Sequence, residues 1–289
     1  MKRVLITGEK SYIGESVKKW LSKWPERYYV DTIDMLDNCW KDFSFFGYDV
    51  VFHVAGIVHR KKISFEVYNK VNHDLAIEVA RKAGDAGVGQ FIFMSSGAVY
   101  TQSDRKHRDI KVTRDSWPHP STAYGYSKLL AEIDLIELSK SYTDMAFAIV
   151  RPPTVYGKGA KGNFQLLLKV ARVFPFFPNI ENRRSMIFIG NLCEFIRVLV
   201  DSRSGGVFLP QNRELVNTCS MVKLIGRVQG RNIVLIGGLN WAVRLLGWMF
   251  TPINKVFGSY YYDEPFNKYF DGSYQIFTFE KSIQLLESQ

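Results

Sequence analysis

The fold of this 289-residue chain is indicated most clearly by the segment Arg3-Val4-Leu5-Ile6-Thr7-Gly8-Glu9-Lys10-Ser11-Tyr12-Ile13-Gly14. Residues 3–7 form an apolar run of strand length, and residues 12–24 have the apolar spacing of a helix. Gly8 permits a tight turn directly after the strand, and Gly14 lets the helix pack closely against the sheet. The segment therefore predicts a buried strand, a glycine turn and a helix whose first N–H groups can bind an anion.

Strand-like and helix-like segments continue to alternate as far as residue 150. Further strands are predicted at 28–34, 49–54, 90–95 and 145–150, and further helices at 68–86 and 123–141. This alternation indicates an α/β protein with a doubly wound, parallel Rossmann sheet that carries helices on both faces.

The pattern changes after Arg151. Glycine and proline become frequent there, and helical spacing returns at 163–173, 191–200 and 221–229. We therefore expect a dinucleotide-binding Rossmann domain over residues 1–153 and a smaller C-terminal substrate lobe over residues 154–289. Some segments of the lobe are expected to return to the Rossmann sheet.

The composition favours a small anionic ligand. The net charge is +10, and a basic surface attracts anions. The basic residues are scattered, and the densest group, at 105–114, is typical of a solvated loop, so we expect no nucleic-acid partner. The three cysteines are far apart and match no zinc or disulfide spacing. We therefore expect no metal site and a cytoplasmic protein with free thiols.

One strongly apolar segment, 232–250, raises the question of a membrane. A spanning helix needs about 20 mostly apolar residues, and Arg244 interrupts this segment. We favour a strand that ends near Ile236, followed by a separate buried helix that begins at Asn240. The alternative is a peripheral membrane contact through residues 240–250.

The glycine turn predicts a site for the pyrophosphate of a dinucleotide. Gly8 and Gly14 match the first and last glycines of the usual fingerprint, and Ser11 replaces the middle one. We therefore assign the cofactor to Gly8, Ser11, Tyr12, Ile13 and Gly14.

The choice between NAD and NADP depends on Asp34, at the end of the second predicted strand. An acidic side chain there bonds both ribose hydroxyls and repels a 2′-phosphate, so NAD is favoured. Asp31 and Asp37 are rival candidates for this role. Lys10 and Arg60 keep NADP open as an alternative.

A second group of residues carries chemistry. Tyr124 and Lys128 are four residues apart and share one face of the helix predicted at 123–141, while Ser96 follows the strand at 90–95. A phenol has a pKa near 10, which a neighbouring ammonium and an oxidised nicotinamide would lower. Tyr124 could then accept a hydroxyl proton as a hydride leaves the same carbon. Tyr126 is a competing phenol with the wrong spacing to Lys128.

Together these motifs resemble the extended short-chain dehydrogenase/reductase superfamily, in its nucleotide-sugar epimerase/dehydratase branch. Further matching segments are His-Val-Ala-Gly at 53–56, Asn72 and Arg-Pro-Pro-Thr-Val-Tyr-Gly at 151–157, so the resemblance covers nearly the whole chain. It implies an NAD-dependent enzyme, similar to UDP-glucose 4-epimerases and to the members that act in bacterial surface-polysaccharide biosynthesis.

The resemblance also implies roles for individual residues. Tyr124 would be the catalytic acid/base, Lys128 would bind the nicotinamide ribose and tune Tyr124, and Ser96 would complete the triad and hold the substrate oxygen. Additional cofactor contacts are implied at Asp42, Phe43, Val54, Ala55 and Gly56, and additional substrate contacts at Thr154, Asn163 and Arg184.

The resemblance narrows the reaction to two main candidates. The 4,6-dehydratases of the superfamily place Asp-Glu where this chain has Gly97-Ala98, so a dehydratase is disfavoured. We favour a UDP-sugar 4-epimerase that oxidises C4 transiently and returns the hydride without facial selectivity. The alternative is an NAD(P)H-dependent reductase of a UDP-4-keto-6-deoxy sugar, which would use the same catalytic residues.

Two other classes of function are alternatives to these candidates. One is a catalytically inactive binding protein that keeps the dinucleotide as a redox sensor, which the intact Ser96, Tyr124 and Lys128 argue against. The other is a membrane-docked enzyme acting on a lipid-linked sugar, suggested by residues 241–250 and the basic charge. Relatives commonly pair through the helices that correspond to 68–86 and 123–141, so the resemblance implies a homodimer.

Overall fold

The computed structural model describes residues 1–58, 63–100, 109–113, 115–160, 163–238, 256–263 and 269–287. Its strands are β1 (Lys2–Thr7), β2 (Tyr28–Ile33), β3 (Val50–His53), β4 (Gln90–Met94), β5 (Asp109–Val112), β6 (Ala146–Val150), β7 (Thr154–Tyr156), β8 (Phe176–Pro178), β9 (Met186–Phe188), β10 (Gly206–Phe208), β11 (Val234–Ile236) and β12 (Ser259–Tyr262).

The α-helices are α1 (Tyr12–Leu21), α2 (Phe65–Asn69), α3 (Leu75–Asp85), α4 (Ala123–Ser139), α5 (Asn163–Val173), α6 (Ile189–Ser202), α7 (Thr218–Val228) and α8 (Phe279–Glu287). Asn38–Lys41 and Gly97–Tyr100 form 3-10 turns, and Lys70–Asp74 forms a π-helix.

Within the described ranges, six strands form one parallel sheet in the order β10-β6-β4-β3-β1-β2. The chain passes from β1 to β2 on one side and then crosses to β3 on the other, so the strand order reverses between β1 and β3. Dinucleotides bind at such a reversal, beyond the carboxyl ends of the strands. The prediction of a doubly wound Rossmann sheet is confirmed.

The sheet is buried on both faces. Leu5, Phe91 and Phe93 belong to one apolar cluster with residues of α3 and α4. Ile6 and Ile92 are also fully buried, and alternation along a strand directs them to the opposite face. Burial on both faces explains why these strands read as continuous apolar runs in the sequence.

The chain divides into two compact units. The first comprises Met1–Thr101, Trp117–Pro152 and Leu192–Pro210, and the second comprises Gln102–Ser116, Pro153–Asn191 and Gln211–Gln289. The predicted division after residue 153 differs from this in two segments. Residues 192–210 belong to the first unit because β10 pairs with β6, and residues 102–116 belong to the second because β5 pairs with β12.

The helix predicted at 68–86 is interrupted. It is observed as α2, the π-helix Lys70–Asp74 and α3. A π-helical turn contains one more residue than an α-helical turn, and the resulting change in apolar spacing is too small to recognise in the sequence. Such π-turns occur frequently at functional sites. Asn72 lies in this turn and is fully buried.

The structure describes residues 232–238 of the apolar segment 232–250. In the part of the chain that the structure describes, no helix is long and apolar enough to cross a bilayer. The strand predicted to end near Ile236 is observed as β11. The helix expected from Asn240 and the membrane contact over 240–250 lie outside the described residues.

Candidate active site

The glycine turn between β1 and α1 brings two segments of backbone unusually close. Gly8 has a φ of +90°, and a Cβ added there would lie 2.9 Å from the Cα of Ala55. Ser11 caps α1, where its hydroxyl accepts a hydrogen bond of 3.0 Å from the N–H of Gly14. A Cβ at Gly14 would lie 2.5 Å from that hydroxyl oxygen. The turn therefore requires both glycines, and Ser11 replaces the middle glycine as a helix cap.

The segment after β3 forms the other wall of this site. Ala55 is buried against Gly8, while Val54 is half-buried and Gly56 is exposed. A Cβ at Gly56 would lie 2.8 Å from Oδ1 of Asn72 and 3.5 Å from Nζ of Lys128. Because Gly56 has no side chain, its backbone stays accessible directly beside Lys128, the residue predicted to bind a ribose.

Asn72 ties this wall to α4. Its side-chain amide donates to the carbonyl of Ile57 and to the hydroxyl of Ser127, both at 3.1 Å, and its carbonyl accepts from the N–H of Ile57 at 2.9 Å. Sequence reasoning named Asn72 as part of the resemblance but gave it no role. The structure shows that it fixes the position of the 53–57 segment relative to α4.

The side chains of Tyr124 and Ser96 are hydrogen-bonded to each other. A Cβ at Gly125 would lie 2.6 Å from the carbonyl oxygen of Ala98, so the absence of a side chain there lets α4 start directly against the turn that carries Ser96. The Ser96 hydroxyl in turn accepts from the N–H of Ala98 at 3.1 Å. The ring of Tyr68 packs edge-on against Tyr124 at 6.3 Å.

The protein surroundings of Tyr124 shift the pKa of its phenol upward. The sequence predicted that Lys128 and an oxidised nicotinamide together would lower this pKa. Burial instead raises the pKa of Tyr124, and only the hydrogen bond with Ser96 acts in the opposite direction. Tyr124 is 8% exposed, and the loss of water around a buried phenolate outweighs the stabilisation that its neighbours provide.

Lys128 lies beneath the same site and is only 4% exposed. Its ammonium donates to the carbonyl of Met94 at 2.9 Å and lies 4.4 Å from the centre of the Phe93 ring. Burial lowers the pKa of Lys128 to about 7, an effect that the nearby Glu132 carboxylate opposes. Lys128 is therefore poised between its charged and neutral forms near neutral pH.

A buried ionic network, not predicted from the sequence, lies behind this pair. Glu132 is fully buried and forms an ion pair with Arg151, which reaches it through Nε at 3.0 and 3.1 Å and through Nη2. Arg151 also donates to the hydroxyl of Tyr100, and Ser95 donates to Glu132. The network fixes the end of β4, from which Ser96 emerges. The one available signal was the spacing of Glu132, one helical turn after Lys128.

A neutral histidine lies within the sheet next to this network. His53 packs between Phe91 and Phe93, with each pair of ring centres 6.0 Å apart, and its Nδ1 is 2.9 Å from the hydroxyl of Thr7. Burial lowers the pKa of His53 to about 3, and the ammonium of Lys128 adds to this effect. His53 is therefore uncharged at neutral pH and serves packing.

The predicted ribose-binding carboxylates have different partners. Asp31 accepts from the hydroxyl of Tyr48, and Asp37 caps the 3-10 turn after it, so both take part in local structure. Asp34 stands directly after β2, where it accepts from the N–H of Leu36 at 3.0 Å and pairs with Lys10 at 3.4 Å. The hydrogen bond from Leu36 lowers the pKa of Asp34.

The two residues predicted at the adenine lie a little further along. Asp42 is exposed and follows the 3-10 turn Asn38–Lys41, with its N–H bonded to Cys39. Phe43 packs against the rings of Phe45 and Tyr48 at 6.3 and 6.2 Å. The contacts described for both residues lie within this segment, so their role at the cofactor stays a prediction.

The predicted substrate residues beyond residue 153 belong to the second unit. Thr154 is exposed at the start of β7, which pairs with β9. Asn163 begins α5, and its side chain lies outside the described part of the structure. Arg184 donates to the carbonyl of Gly258 at 3.0 Å, and burial lowers the pKa of its guanidinium. Their roles remain predictions.

Comparison with known proteins places these observations in a family. The model of the NAD dependent epimerase/dehydratase family matches residues 4–208. A UDP-glucose 4-epimerase of Vibrio cholerae is 29% identical over 281 residues, which covers 89% of this chain and 83% of the relative.

Two further similarities are a match in sequence over part of the chain and a match in fold over nearly all of it. An N-acetyl-alpha-D-glucosaminyl-diphospho-ditrans,octacis-undecaprenol 4-epimerase of Escherichia coli O157:H7 is 32% identical over 178 residues, covering 60% of this chain and 52% of the relative. The crystal structure of UDP-glucuronic acid 4-epimerase from Bacillus cereus in complex with NAD superposes with a TM-score of 0.74, covering 99% of this chain and 97% of that one. At 17% identity, the latter likeness concerns the fold.

Proposed function

This chain belongs to the NAD-dependent epimerase/dehydratase family, and we propose that it is a UDP-sugar 4-epimerase. The observation that carries the proposal is the hydrogen bond between Ser96 and Tyr124, together with the buried Lys128 one helical turn along the same helix. The similarity to a UDP-glucose 4-epimerase over most of both chains supports the substrate class.

The proposed reaction assigns one task to each side chain. Ser96 holds the 4-hydroxyl of the sugar against Tyr124, and Tyr124 removes the hydroxyl proton as C4 is oxidised. A bound NAD would supply the acceptor and donor for the C4 hydride. Tyr124 then gives the proton back to the 4-keto oxygen, so protons and electrons balance over the cycle. The sugar turns over in its pocket between the two steps, which inverts C4.

Lys128 makes this proton transfer feasible at neutral pH. Burial alone leaves the phenol of Tyr124 too weak an acid to ionise readily. A protonated Lys128 that binds the nicotinamide ribose would bring positive charge to the phenolate, and the Glu132 carboxylate helps keep that lysine protonated. Tyr124, Lys128 and Glu132 therefore act together in the proton transfer.

The residues present fit NAD. The turn at Gly8, the helix N-terminus capped by Ser11 and the open backbone of Gly56 form a cradle that added Cβ atoms would fill. Asp34 lies at the end of β2, and β2 pairs with β1, the strand that leads into the Gly8 turn. The ribose diol of the dinucleotide is expected at this position. Asp34 is paired with Lys10 and partly compensates the positive charge of that lysine, which would otherwise attract a 2′-phosphate. This pairing supports NAD over NADP.

The position of Gly97 and Ala98 supports an epimerase over a dehydratase. Elimination of water from the sugar needs an acid and a base beside Ser96, and neither residue can transfer a proton. A 4-keto reductase would use the same Ser96, Tyr124 and Lys128, so the choice between these two depends on whether hydride is recycled.

We test this by mixing the purified protein with UDP-glucose, UDP-galactose and their N-acetyl forms, with catalytic NAD only. The anomeric protons are followed by NMR, and the 4-epimer should accumulate. Tyr124→Phe should abolish this signal, whereas Tyr126→Phe is the matched control, because Tyr126 is exposed on the same helix. If no epimer forms but reduced cofactor is consumed only with a 4-keto sugar, the protein is a reductase.

A lipid-linked sugar diphosphate is a second substrate class. The name of the Escherichia coli relative supports it, because that protein acts on a sugar attached to undecaprenyl diphosphate. The same NMR assay with a polyprenyl-diphosphate sugar in detergent tests this class. Turnover of the lipid-linked sugar without turnover of UDP-sugars would replace the first proposal.

We also propose a homodimer. Ile133 and Ile136 of α4 and Val67 of α2 are about half exposed, and Leu130 is 37% exposed, which leaves an apolar face for a second copy to cover. Sedimentation should give twice the mass of one chain, and Ile133→Asp should yield monomers. Leu36→Asp, at an exposed apolar residue elsewhere, should leave the dimer intact; equal dissociation by both would refute this interface.

A further inference from the structure

Two long stretches of the second unit contain no acidic residue. Residues 153–180 carry four basic residues and no Asp or Glu, and residues 215–262 carry five basic residues and no Asp or Glu. Since the net charge of the whole chain is +10, these stretches account for most of it. They supply α5, β8, α7 and β11, and α7 packs against the other three elements.

Exposed apolar side chains lie on the same elements. Phe174 and Phe176, at the exit of α5, are 55% and 57% exposed. Phe176 is the strand partner of Val234, which is 49% exposed. On α5 itself, Leu166 and Val173 are two helical turns apart and 53% and 64% exposed. A group of large apolar side chains this exposed marks an interaction surface.

Exposed basic side chains lie on the same group of packed elements. Lys169 and Arg172 lie on the exposed side of α5. Lys223, Arg227 and Arg231 line a surface pocket at the end of α7, directly before β11. We call these five basic residues and the five apolar residues above the basic–apolar face.

We propose that the basic–apolar face binds the surface of an anionic lipid bilayer. Apolar side chains enter the boundary between headgroups and acyl chains, while Lys and Arg lie among the headgroup phosphates. A nucleic acid would engage the basic residues but leave Val173 and Val234 in water. A second copy of this face would set basic residues against basic residues. A lipid surface is the partner that uses both properties.

None of the ten residues of the basic–apolar face falls within 240–250, and the inference does not depend on the proposed epimerase activity. The test is flotation of the full chain with vesicles of phosphatidylcholine alone or mixed with phosphatidylglycerol. We expect flotation only with the mixed vesicles, weakened by added salt. At matched ionic strength, inorganic phosphate should release no more protein than chloride does, because free phosphate does not replace the apolar contact.

Variants locate the contact. Phe174→Ser with Phe176→Ser, and separately Arg227→Glu with Arg231→Glu, should each lower the vesicle-bound fraction at least about 5-fold. Phe46→Ser is the matched control, because Phe46 is 80% exposed in the first unit, and it should bind like wild type. Thermal unfolding and turnover of soluble substrate check that each variant is folded.

Three results would overturn the inference. The first is a wild-type protein that does not float with anionic vesicles. The second is unchanged binding of both double variants while Trp241→Ser with Trp248→Ser abolishes it, which would assign the contact to 240–250. The third is binding that inorganic phosphate displaces completely, which would indicate a site for free anions.

Discussion

The two units of this protein use charge in different ways. In the first unit, charged side chains are joined to opposite charges, as in the buried pair Glu132–Arg151 and the pairs of Arg197 with Glu194 and Asp201. In the second unit, long stretches of the chain carry basic residues without any acidic ones. The charges of the first unit are therefore mostly compensated within it, whereas those of the second favour an anionic partner.

This difference matches two tasks. Proton and hydride transfer need side chains fixed in position, and a buried, compensated network fixes them. Binding a diphosphate or an anionic surface needs positive potential instead. The comparison predicts that changes in the first unit alter kcat and stability, whereas changes in the second alter KM.

The largest effect is expected at Tyr124. Tyr124→Phe removes the group that exchanges the substrate proton, so kcat should fall at least about 1000-fold. The free energy of unfolding should fall by only about 1 kcal/mol, for the lost hydrogen bond with Ser96. Steady-state kinetics and urea unfolding measure the two quantities. A drop confined to KM would break the assignment of chemistry to the first unit.

Glu132→Gln should show how much the buried network contributes. The substitution leaves Arg151 buried without its countercharge, so the free energy of unfolding should fall by about 3 kcal/mol. The matched control is Glu137→Gln, which breaks an exposed pair with Lys140 and should cost less than about 0.5 kcal/mol. Urea unfolding of both variants measures the difference. Equal costs would mean that burial of the pair has no energetic consequence.

Lys128→Met should stabilise the protein while it abolishes turnover. The ammonium has a free pKa of 10.5 and a folded pKa of about 7, so folding at pH 7 carries an energetic cost. Removing it should raise the free energy of unfolding by about 2 kcal/mol, after the loss of the hydrogen bond to Met94 is counted.

The pH dependence gives the sign check for this prediction. Below pH 7 the lysine is charged in both states and the cost is complete; between pH 7 and 10.5 only the unfolded state keeps the proton, and the cost fades. The advantage of the variant should therefore shrink as pH rises through that window, as urea unfolding at several pH values would measure. A variant less stable than wild type at pH 7 would show that the contacts with Met94 and Phe93 outweigh desolvation.

The smallest effect is expected in the second unit. Arg184→Lys loses the forked geometry suited to a diphosphate, so KM should rise about 10-fold while kcat stays within about 3-fold. Arg183→Lys is the matched control at the neighbouring, exposed residue and should leave both constants unchanged. Steady-state kinetics on the UDP-sugar measures both. A fall in kcat without a change in KM would contradict the division of tasks between the units.

Short-range features of the sequence predicted much of this protein. The glycine turn, the strands β1 to β4 and β6, and the helix that carries Tyr124 and Lys128 follow from local spacing, because strand and helix periods and the demands of a tight turn depend on residues close together in the chain. The family followed from the same motifs.

Only the tertiary structure decided which residues share an environment. Ser95 and Glu132 are 37 positions apart, and Asn72 and Ser127 are 55 apart, so no local pattern predicts their hydrogen bonds. The π-turn at Asn72, the return of residues 192–210 to the sheet and the raised pKa of Tyr124 have the same origin. Burial is the sum of contacts from every packed element, and desolvation energies follow burial, so they are fixed only when the whole unit is assembled.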